Sequence, residues 1–116
     1  MRMWGVPVRL MCSKHLGGEH AEIEMFVWNI RHGRNLTGYY VGGLMDTRLI
    51  QVRHNDLAAE IDRRVRAGES RGKGHNSPLV YNDRLGLGSI DVDANLVELA
   101  RRCPRCKERV ESSERE

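Results

Sequence analysis

The sequence predicts a mainly α, compact single domain of about three helices with long connections, stapled by zinc between the N-terminal helix and the C-terminal region. Two observations lead to this prediction. Apolar residues recur at helical spacing in three separate stretches, whereas strand-like alternation is short throughout. Pairs of metal-ligand residues also lie near both ends of a chain of 116 residues, a length that suits one domain rather than two.

The first predicted helix covers residues 8–30. Gly33 is suited to the left-handed position that follows a helix end, and the glycine-rich residues 35–46 predict a loop around a short extended piece. The apolar stripe of this helix consists of Leu16, Ile23, Val27 and Ile30, with His20 filling a gap.

The second predicted helix covers residues 47–67 and ends at Gly68. His54 lies on its apolar stripe, a position that favours a hydrogen-bonded core histidine over a metal ligand. The stripe itself consists of Ile50, Leu57, Ile61 and Val65.

The rest of the chain predicts one more helix. Residues 68–92 are rich in Gly, Asn, Asp and Ser, and irregular connections of that length usually carry function or are mobile. A third helix is expected to begin near Asp93, a good N-cap, and to run towards Cys103. We therefore expect a single helical domain over residues 1–110 and a disordered tail over residues 111–116.

The most specific chemical signal is the pair of segments Cys12-Ser-Lys-His15 and Cys103-Pro-Arg-Cys106. Their C-x2-H and C-x2-C patterns have the ligand types and local spacing of a tetrahedral Zn²⁺ site. Positions i and i+3 of a helix face the same way, and a proline between the second pair suits a tight turn. We therefore predict a structural Zn²⁺ held by Cys12, His15, Cys103 and Cys106. The alternative is three unrelated thiols, one of them a small buried apolar residue.

Composition sets the cellular context. Hydrophobic residues make up 40% of the chain, with one Phe, two Trp and three Tyr, so we expect a small hydrophobic core. A structural metal ion that joins both ends of the chain would then contribute much of the folding free energy. The odd count of three cysteines argues against a secreted disulfide framework. The sequence shows no signal-peptide core and no apolar run of about 20 residues. These features predict a soluble protein with no membrane partner, cytoplasmic in a bacterial or phage-infected cell.

Positive charge is clustered, within a net charge of +3. Clustered arginine is typical of proteins that bind nucleic-acid phosphates, although solvated helix faces look similar. We expect DNA as the partner, contacted chiefly by the basic runs at 63–73 and 101–109. The residues concerned are Arg63, Arg64, Arg66, Arg71, Arg101 and Arg102.

Three polar residues form a row on the first helix. His15, Glu19 and Glu22 stand at positions i, i+4 and i+7, within about 60° of one another around the helix axis. An imidazole and two carboxylates in one row are candidate catalytic groups, and an exposed acidic face is the alternative. A further hypothesis places His15, Glu19 and His20 on a catalytic metal in a hydrolase.

Three stretches carry a resemblance to a known family. They are Met1-Arg2, His15-Leu16-x-x-Glu19-x-x-Glu22, and the segment Arg53-His-Asn-Asp-Leu-Ala-Ala-Glu60-Ile-Asp-Arg-Arg64. Over residues 1–80 the chain resembles the small phage-type pyrimidine dimer DNA glycosylases, also called the dimer-excising endonuclease V family. The segment His75-Asn-Ser-Pro-Leu79 and the cysteine pair are similar to short phage relatives of that family.

The resemblance implies a compact all-α fold and a bifunctional DNA glycosylase and abasic-site lyase. Its nucleophile would be the α-amine of Met1, which attacks the sugar C1′ and forms an imine. Glu22 would support sugar opening and β-elimination, with Glu19 beside it in the same row. Arg2 would contact DNA, and His15 would lie beside the site. No small-molecule cofactor is expected, and the protein is expected to be a monomer.

The chain also departs from the family pattern. Met1 precedes the bulky Arg2, so we expect Met1 to be retained, which crowds the nucleophile. Two DNA-contacting arginines of the family match Ala21 and Met25 here. An alternative function is therefore a zinc-stabilised, non-catalytic nucleic-acid-binding protein. Because His15 cannot be both a zinc ligand and an active-site group, other histidines are alternative fourth ligands: His20, His32, His54 and His75.

Overall fold

The structure is a computed structural model that describes residues 1–74 and 77–115. Its helices are α1 (Ser13–Arg31), α2 (Thr37–Val41), α3 (Ile50–Arg66), α4 (Val92–Arg102) and α5 (Pro104–Arg115), with short 3-10 turns at Val8–Leu10 and Thr47–Leu49. An isolated bridge between Asp46 and Gly88 is the only β pairing among the described residues. The predicted mainly α, single-domain fold is confirmed, and the described residues form five helices rather than the predicted three.

Helix α1 begins later than predicted because residues 8–10 form a separate 3-10 turn and Cys12 is the N-cap. Its end agrees with the prediction: Gly33 has φ +66° and its N–H donates to the carbonyl of Ile30. The buried face of α1 packs against α3, which begins at Ile50 and is followed by Gly68 at φ +74°. The apolar residues that α1 buries are Leu16, Ile23, Phe26 and Val27.

The glycine-rich segment at 35–46 contains the short helix α2, where the sequence predicted an extended piece. Asn35 starts the turn by accepting the N–H of Thr37 through its side chain, and the Tyr39 ring packs edge-on against Phe26 at 5.2 Å. The segment that follows α3 is irregular, as predicted. Its later part is tied to Thr47, whose N–H donates to the carbonyl of Leu87.

Helices α4 and α5 are separated by one extended residue, Cys103. Asp91 caps α4 by accepting the N–H of Ala94, so the helix starts slightly before the predicted Asp93. Pro104 occupies the first position of α5, where the missing N–H costs nothing. Helix α5 covers residues 111–115, where the sequence predicted a disordered tail.

The N-terminal segment is part of the core rather than a free end. Met3 and Val6 are fully buried, and the N–H of Met3 donates to the carbonyl of Leu44 at 2.7 Å. Asn95 of α4 donates its side-chain amide to the carbonyl of Trp4 at 2.8 Å. Within the described ranges, no helix is long and apolar enough to cross a membrane.

Candidate metal centre and N-terminal site

The two predicted ligand pairs meet in one cluster, although about ninety residues separate them along the chain. Their ligand atoms all lie within 4.8 Å of one another, so the group could hold a metal ion. Cys12 Sγ is 3.2 Å from His15 Nδ1 and 3.8 Å from Cys103 Sγ, and Cys106 Sγ is 3.7 Å from His15 Nδ1. The cysteines are free thiols and all three are buried.

These separations match one tetrahedral ion. Two sulfurs bound to zinc at about 2.3 Å lie about 3.8 Å apart in a tetrahedron, and a sulfur and an imidazole nitrogen lie about 3.5 Å apart. A disulfide needs sulfurs at about 2.05 Å, so the distance between Cys12 and Cys103 fits shared coordination better than oxidation.

Each ligand pair occupies the same place on its helix. Cys12 is the N-cap of α1, with His15 three residues later. Cys103 immediately precedes α5, its carbonyl accepts the N–H of Lys107, and Cys106 again follows three residues later. Two helix N-termini therefore face the cluster, and the positive end of a helix dipole favours thiolate over thiol.

Backbone N–H groups also point at the sulfurs. Cys12 donates its N–H to Cys106 Sγ at 3.3 Å, and Cys106 donates its N–H to Cys103 Sγ at 3.4 Å. Burial opposes ionisation of Cys103, but this N–H and the neighbouring thiols outweigh it and lower the Cys103 pKa. For Cys106, burial dominates and raises the pKa to about 12. A bound cation would deprotonate these thiols outright.

A basic cleft of about 410 Å³ opens beside the cluster. Lys14 and Arg105 line it, both are exposed, and neither forms an ion pair with another described residue. Three thiolates exceed the charge of a divalent ion, so these cations would balance an anionic centre. Sequence reasoning did not single out Lys14, although its position between two ligands was a usable signal.

The chain's N-terminal segment lies beside Glu22. The N–H of Arg2 donates to Glu22 Oε2 at 3.1 Å, and both Met1 and Glu22 are half-buried. The Arg2 guanidinium lies 3.9 Å from the centre of the Trp4 ring and donates to Asn95 Oδ1 at 2.7 Å. Trp4 and Asn95, which sequence reasoning missed, thus hold the segment in place.

Positive charge is concentrated at this point. Arg102 approaches the same Trp4 ring at 5.8 Å, and the pKa of Arg2 is lowered first by burial and then by the charge of Arg102. The Trp4 ring also meets His15 edge-on at 6.3 Å. The N-terminal segment and the metal cluster are therefore neighbours that share one indole ring.

Glu19 lies apart from Glu22 in this arrangement. Its side chain is buried and receives two hydrogen bonds from Arg53, at 2.7 and 2.8 Å, while Arg53 also donates to the carbonyl of Val6 at 2.6 Å. Glu19 is thus a structural partner of Arg53. A charged residue on the apolar stripe of α3 was the signal that could have identified this pair.

The predicted DNA-contacting arginines are mostly engaged within the protein. Arg64 is fully buried, bound to Glu60 at 2.8 Å and to the carbonyl of Val8, so the prediction that it contacts DNA is wrong. Arg71 is exposed. The other four are exposed but paired: Arg63 with Glu60 and Glu69, Arg66 with Asp62, and Arg101 and Arg102 with Glu98.

The structure also separates the histidines. His15 belongs to the cysteine cluster, whereas His20 and His54 lie together with Glu24. The set of His15, Glu19 and His20 hypothesised for a catalytic metal is therefore not brought together. His32 is stacked on Trp28 with the ring centres 3.8 Å apart. His75 lies outside the described residues.

No protein-family model matches this chain, and it matches no curated protein and no solved structure. The similarity to the dimer glycosylases therefore depends on the quoted residues alone.

Proposed function

We propose that this protein is a DNA glycosylase and abasic-site lyase that uses the α-amine of Met1 as nucleophile and Glu22 as acid–base group. The hydrogen bond between the Arg2 N–H and Glu22 Oε2 supports this most directly, at 3.1 Å. Successive backbone nitrogens are at most about 3.7 Å apart, so the amine lies within about 7 Å of that carboxylate. A bridging water molecule or a rotation of the Glu22 side chain would bring the carboxylate into hydrogen-bond reach of the amine.

The chemistry needs only these two groups and water. The neutral amine attacks C1′ of the damaged nucleotide, and the base leaves with the electrons of the C1′–N bond and takes up the proton that the amine releases. The C1′–O4′ bond then breaks as Glu22, acting as an acid, protonates O4′, and the nitrogen lone pair forms the iminium on the opened sugar. At an existing abasic site, the amine adds to the aldehyde and water leaves. Glu22 then removes a proton from C2′, and the 3′-phosphate departs with the electrons of the C3′–O bond. Hydrolysis of the imine frees the enzyme.

The surroundings suit an anionic substrate. Arg2 and Arg102 lie over one indole ring, and burial and mutual repulsion lower the pKa of Arg2. A phosphate between them would relieve that repulsion. Lys14 and Arg105 extend the positive charge along the neighbouring cleft. DNA is therefore the partner we propose, contacted by this surface more than by the ion-paired arginines of α3.

We further propose that the ion of the cysteine cluster is Zn²⁺ and that its role is structural. Thiolates and imidazoles are ligands that Zn²⁺ prefers. Protein groups would fill all four tetrahedral positions, which leaves none for a substrate. By fixing Cys12 to Cys103, the ion would also fix the Trp4 ring that packs on His15.

Borohydride trapping on abasic-site DNA tests the proposed reaction. Mass spectrometry first establishes that the purified chain begins at Met1. We expect a covalent protein–DNA adduct that maps to the α-amine of Met1. Glu22→Gln should lower strand cleavage at least about a hundredfold, the usual contribution of an acid–base group, without loss of folding. Glu69→Gln, a change at an exposed glutamate of the α3 terminus, is the matched control.

A short peptide fused to the N-terminus should abolish the adduct, since a peptide nitrogen is not a nucleophile. The same peptide fused to the C-terminus should leave it intact. If no adduct forms at all, or if the N-terminal fusion reacts normally, the lyase proposal fails. DNA binding that persists without chemistry would then favour a non-catalytic nucleic-acid-binding protein.

A further inference from the structure

We propose that His20, Glu24 and His54 form a second metal site, distinct from the cysteine cluster, that binds a divalent first-row transition-metal ion in an open geometry. His20 and Glu24 are one turn apart on α1, and His54 faces them from α3. The two imidazole rings lie 4.5 Å apart, centre to centre, at an angle of 38°. The inference does not depend on the proposed lyase activity.

The spacing of the three donor atoms fits a shared ion. Glu24 Oε1 is 3.2 Å from His54 Nε2 and 3.5 Å from His20 Nε2, and one donor atom from each residue lies within 4.8 Å of the other two. Ligands about 2.1 Å from one ion are about 3.0 Å apart at octahedral angles and about 3.4 Å apart at tetrahedral angles. The two distances from Glu24 are close to this range.

The tautomer of His54 supports a cation at this position. Asn55 Oδ1 accepts the N–H of Leu79 at 2.8 Å, which identifies that atom as the oxygen. His54 Nδ1 lies 3.0 Å from the same oxygen and therefore carries the proton. His54 Nε2 then faces the Glu24 carboxylate oxygen at 3.2 Å and is the ring nitrogen that can bind a metal ion. A second hydrogen bond that orients the other ring nitrogen in this way is typical of histidine ligands.

The ligand set leaves coordination positions open. Two imidazoles and one carboxylate suit Zn²⁺, Fe²⁺, Co²⁺ and Ni²⁺, and three protein ligands are the pattern of sites that also bind water or substrate. The imidazoles are nearly buried, whereas the Glu24 side chain is 50% exposed. Glu24 also borders a cavity of about 260 Å³ that Trp28, Arg31 and His32 line. An ion held here would be accessible from that cavity.

Cobalt titration of the purified protein tests this site. The protein is first saturated with one equivalent of Zn²⁺ to fill the cysteine cluster. We then expect one further equivalent of Co²⁺ to bind, with weak visible bands of nitrogen and oxygen coordination and without the intense near-ultraviolet band of cobalt thiolates. Glu24→Gln should weaken this second binding at least about tenfold, because it removes an anionic ligand. Because the Glu24 side chain is half-exposed, we expect this variant to fold as the wild-type protein does.

His32→Ala is the matched control, since His32 lines the same cavity and is not among the three donors. This variant should bind the second equivalent as the wild-type protein does. The proposal is overturned if the zinc-saturated protein takes up no second ion, in which case protons alone occupy the cluster. It is equally overturned if Glu24→Gln binds Co²⁺ with unchanged affinity, or if the bound cobalt shows thiolate bands.

Discussion

Two glutamates on one helix, three residues apart, have opposite environments. Glu19 points inward and is bound by the buried guanidinium of Arg53, whereas Glu22 lies at the N-terminal segment and is half-buried. Helical periodicity predicts that both stand in one row, but it does not say which carboxylate has a cation above it. The difference comes from α3, because Arg53 reaches across to α1. Residue spacing alone therefore could not distinguish the structural carboxylate from the candidate catalytic one.

Glu19→Gln should destabilise the fold by about 3–5 kcal/mol, because it leaves the buried Arg53 charge without its partner. Urea unfolding measured by circular dichroism checks this value. Glu22→Gln is the control and should change the free energy of unfolding by less than about 1 kcal/mol. Equal stability of the two variants would show that the Arg53 pair contributes no net stabilisation.

At the scale of elements, the long helices were predictable and their junctions were not. The apolar stripes locate α1 and α3, and Gly33 and Gly68 mark their ends. Helix α5 was missed because its sequence is mostly charged and offers no stripe; it is held by Cys106 in the core and by spaced ion pairs such as Lys107 with Glu111. Tertiary contacts and ion pairs thus stabilise α5, and these leave no periodic apolar pattern in the sequence.

The candidate metal-binding cluster was predictable for a different reason. In each pair two residues separate the ligands. This spacing is local, so it can be recognised in the sequence without knowledge of the fold. The second cluster was not predicted, because His20 and Glu24 meet His54 only when α1 packs on α3. Asn95, which lies far along the chain, likewise helps to hold the N-terminal segment that lies beside Glu22.

The stability of the fold should decrease at low pH because of Glu60, a residue of α3. Hydrogen bonds from Arg63, then from Arg64, outweigh burial and lower the pKa of Glu60 from 4.5 to about 2. A lowered folded-state pKa stabilises the fold fully above the unfolded-state value, and this stabilisation is lost as pH falls from about 4.5 towards 2. We expect the melting temperature to fall across this window.

Glu60→Gln should lower the melting temperature at pH 7 and flatten its dependence on pH below 4.5, because the titrating group is gone and the buried Arg64 loses its anion. Thermal denaturation at half-unit pH steps measures both effects. Glu108→Gln, at an exposed residue of α5, should leave the acid dependence as steep as in the wild-type protein.

At the scale of the whole molecule, the cluster of Cys12, His15, Cys103 and Cys106 joins regions near the two ends of the described chain. Closing a loop of about 90 residues is worth roughly 4–5 kcal/mol in chain entropy. Removal of metal with a chelator should therefore lower the melting temperature by at least about 15 °C. Differential scanning calorimetry checks this. Added Zn²⁺ should restore the wild-type protein, and Cys103→Ser should be insensitive to both treatments.

The proposed DNA binding should depend on the exposed cations of the cleft, Lys14 and Arg105. Lys14→Ala and Arg105→Ala should each weaken binding and each reduce the slope of log affinity against log salt by about 0.9, the value for one lost phosphate contact. Fluorescence anisotropy over a range of KCl concentrations measures the slope. Arg66→Ala is the control, because Arg66 is already paired with Asp62 at 2.8 Å. An unchanged slope in all three variants would exclude this cleft as the DNA-binding surface.

The position of Asn95 has a consequence for protein synthesis. The carbonyl of Trp4 and the guanidinium of Arg2 are held by a residue that the ribosome adds about ninety positions later. Until α4 leaves the exit tunnel, the Trp4 carbonyl and the Arg2 guanidinium lack this partner, whereas the N–H of Met3 can already donate to the carbonyl of Leu44. The Arg2 side chain would therefore take its final place only after α4 has been synthesised, so the positively charged surface around Trp4 would be completed late in folding.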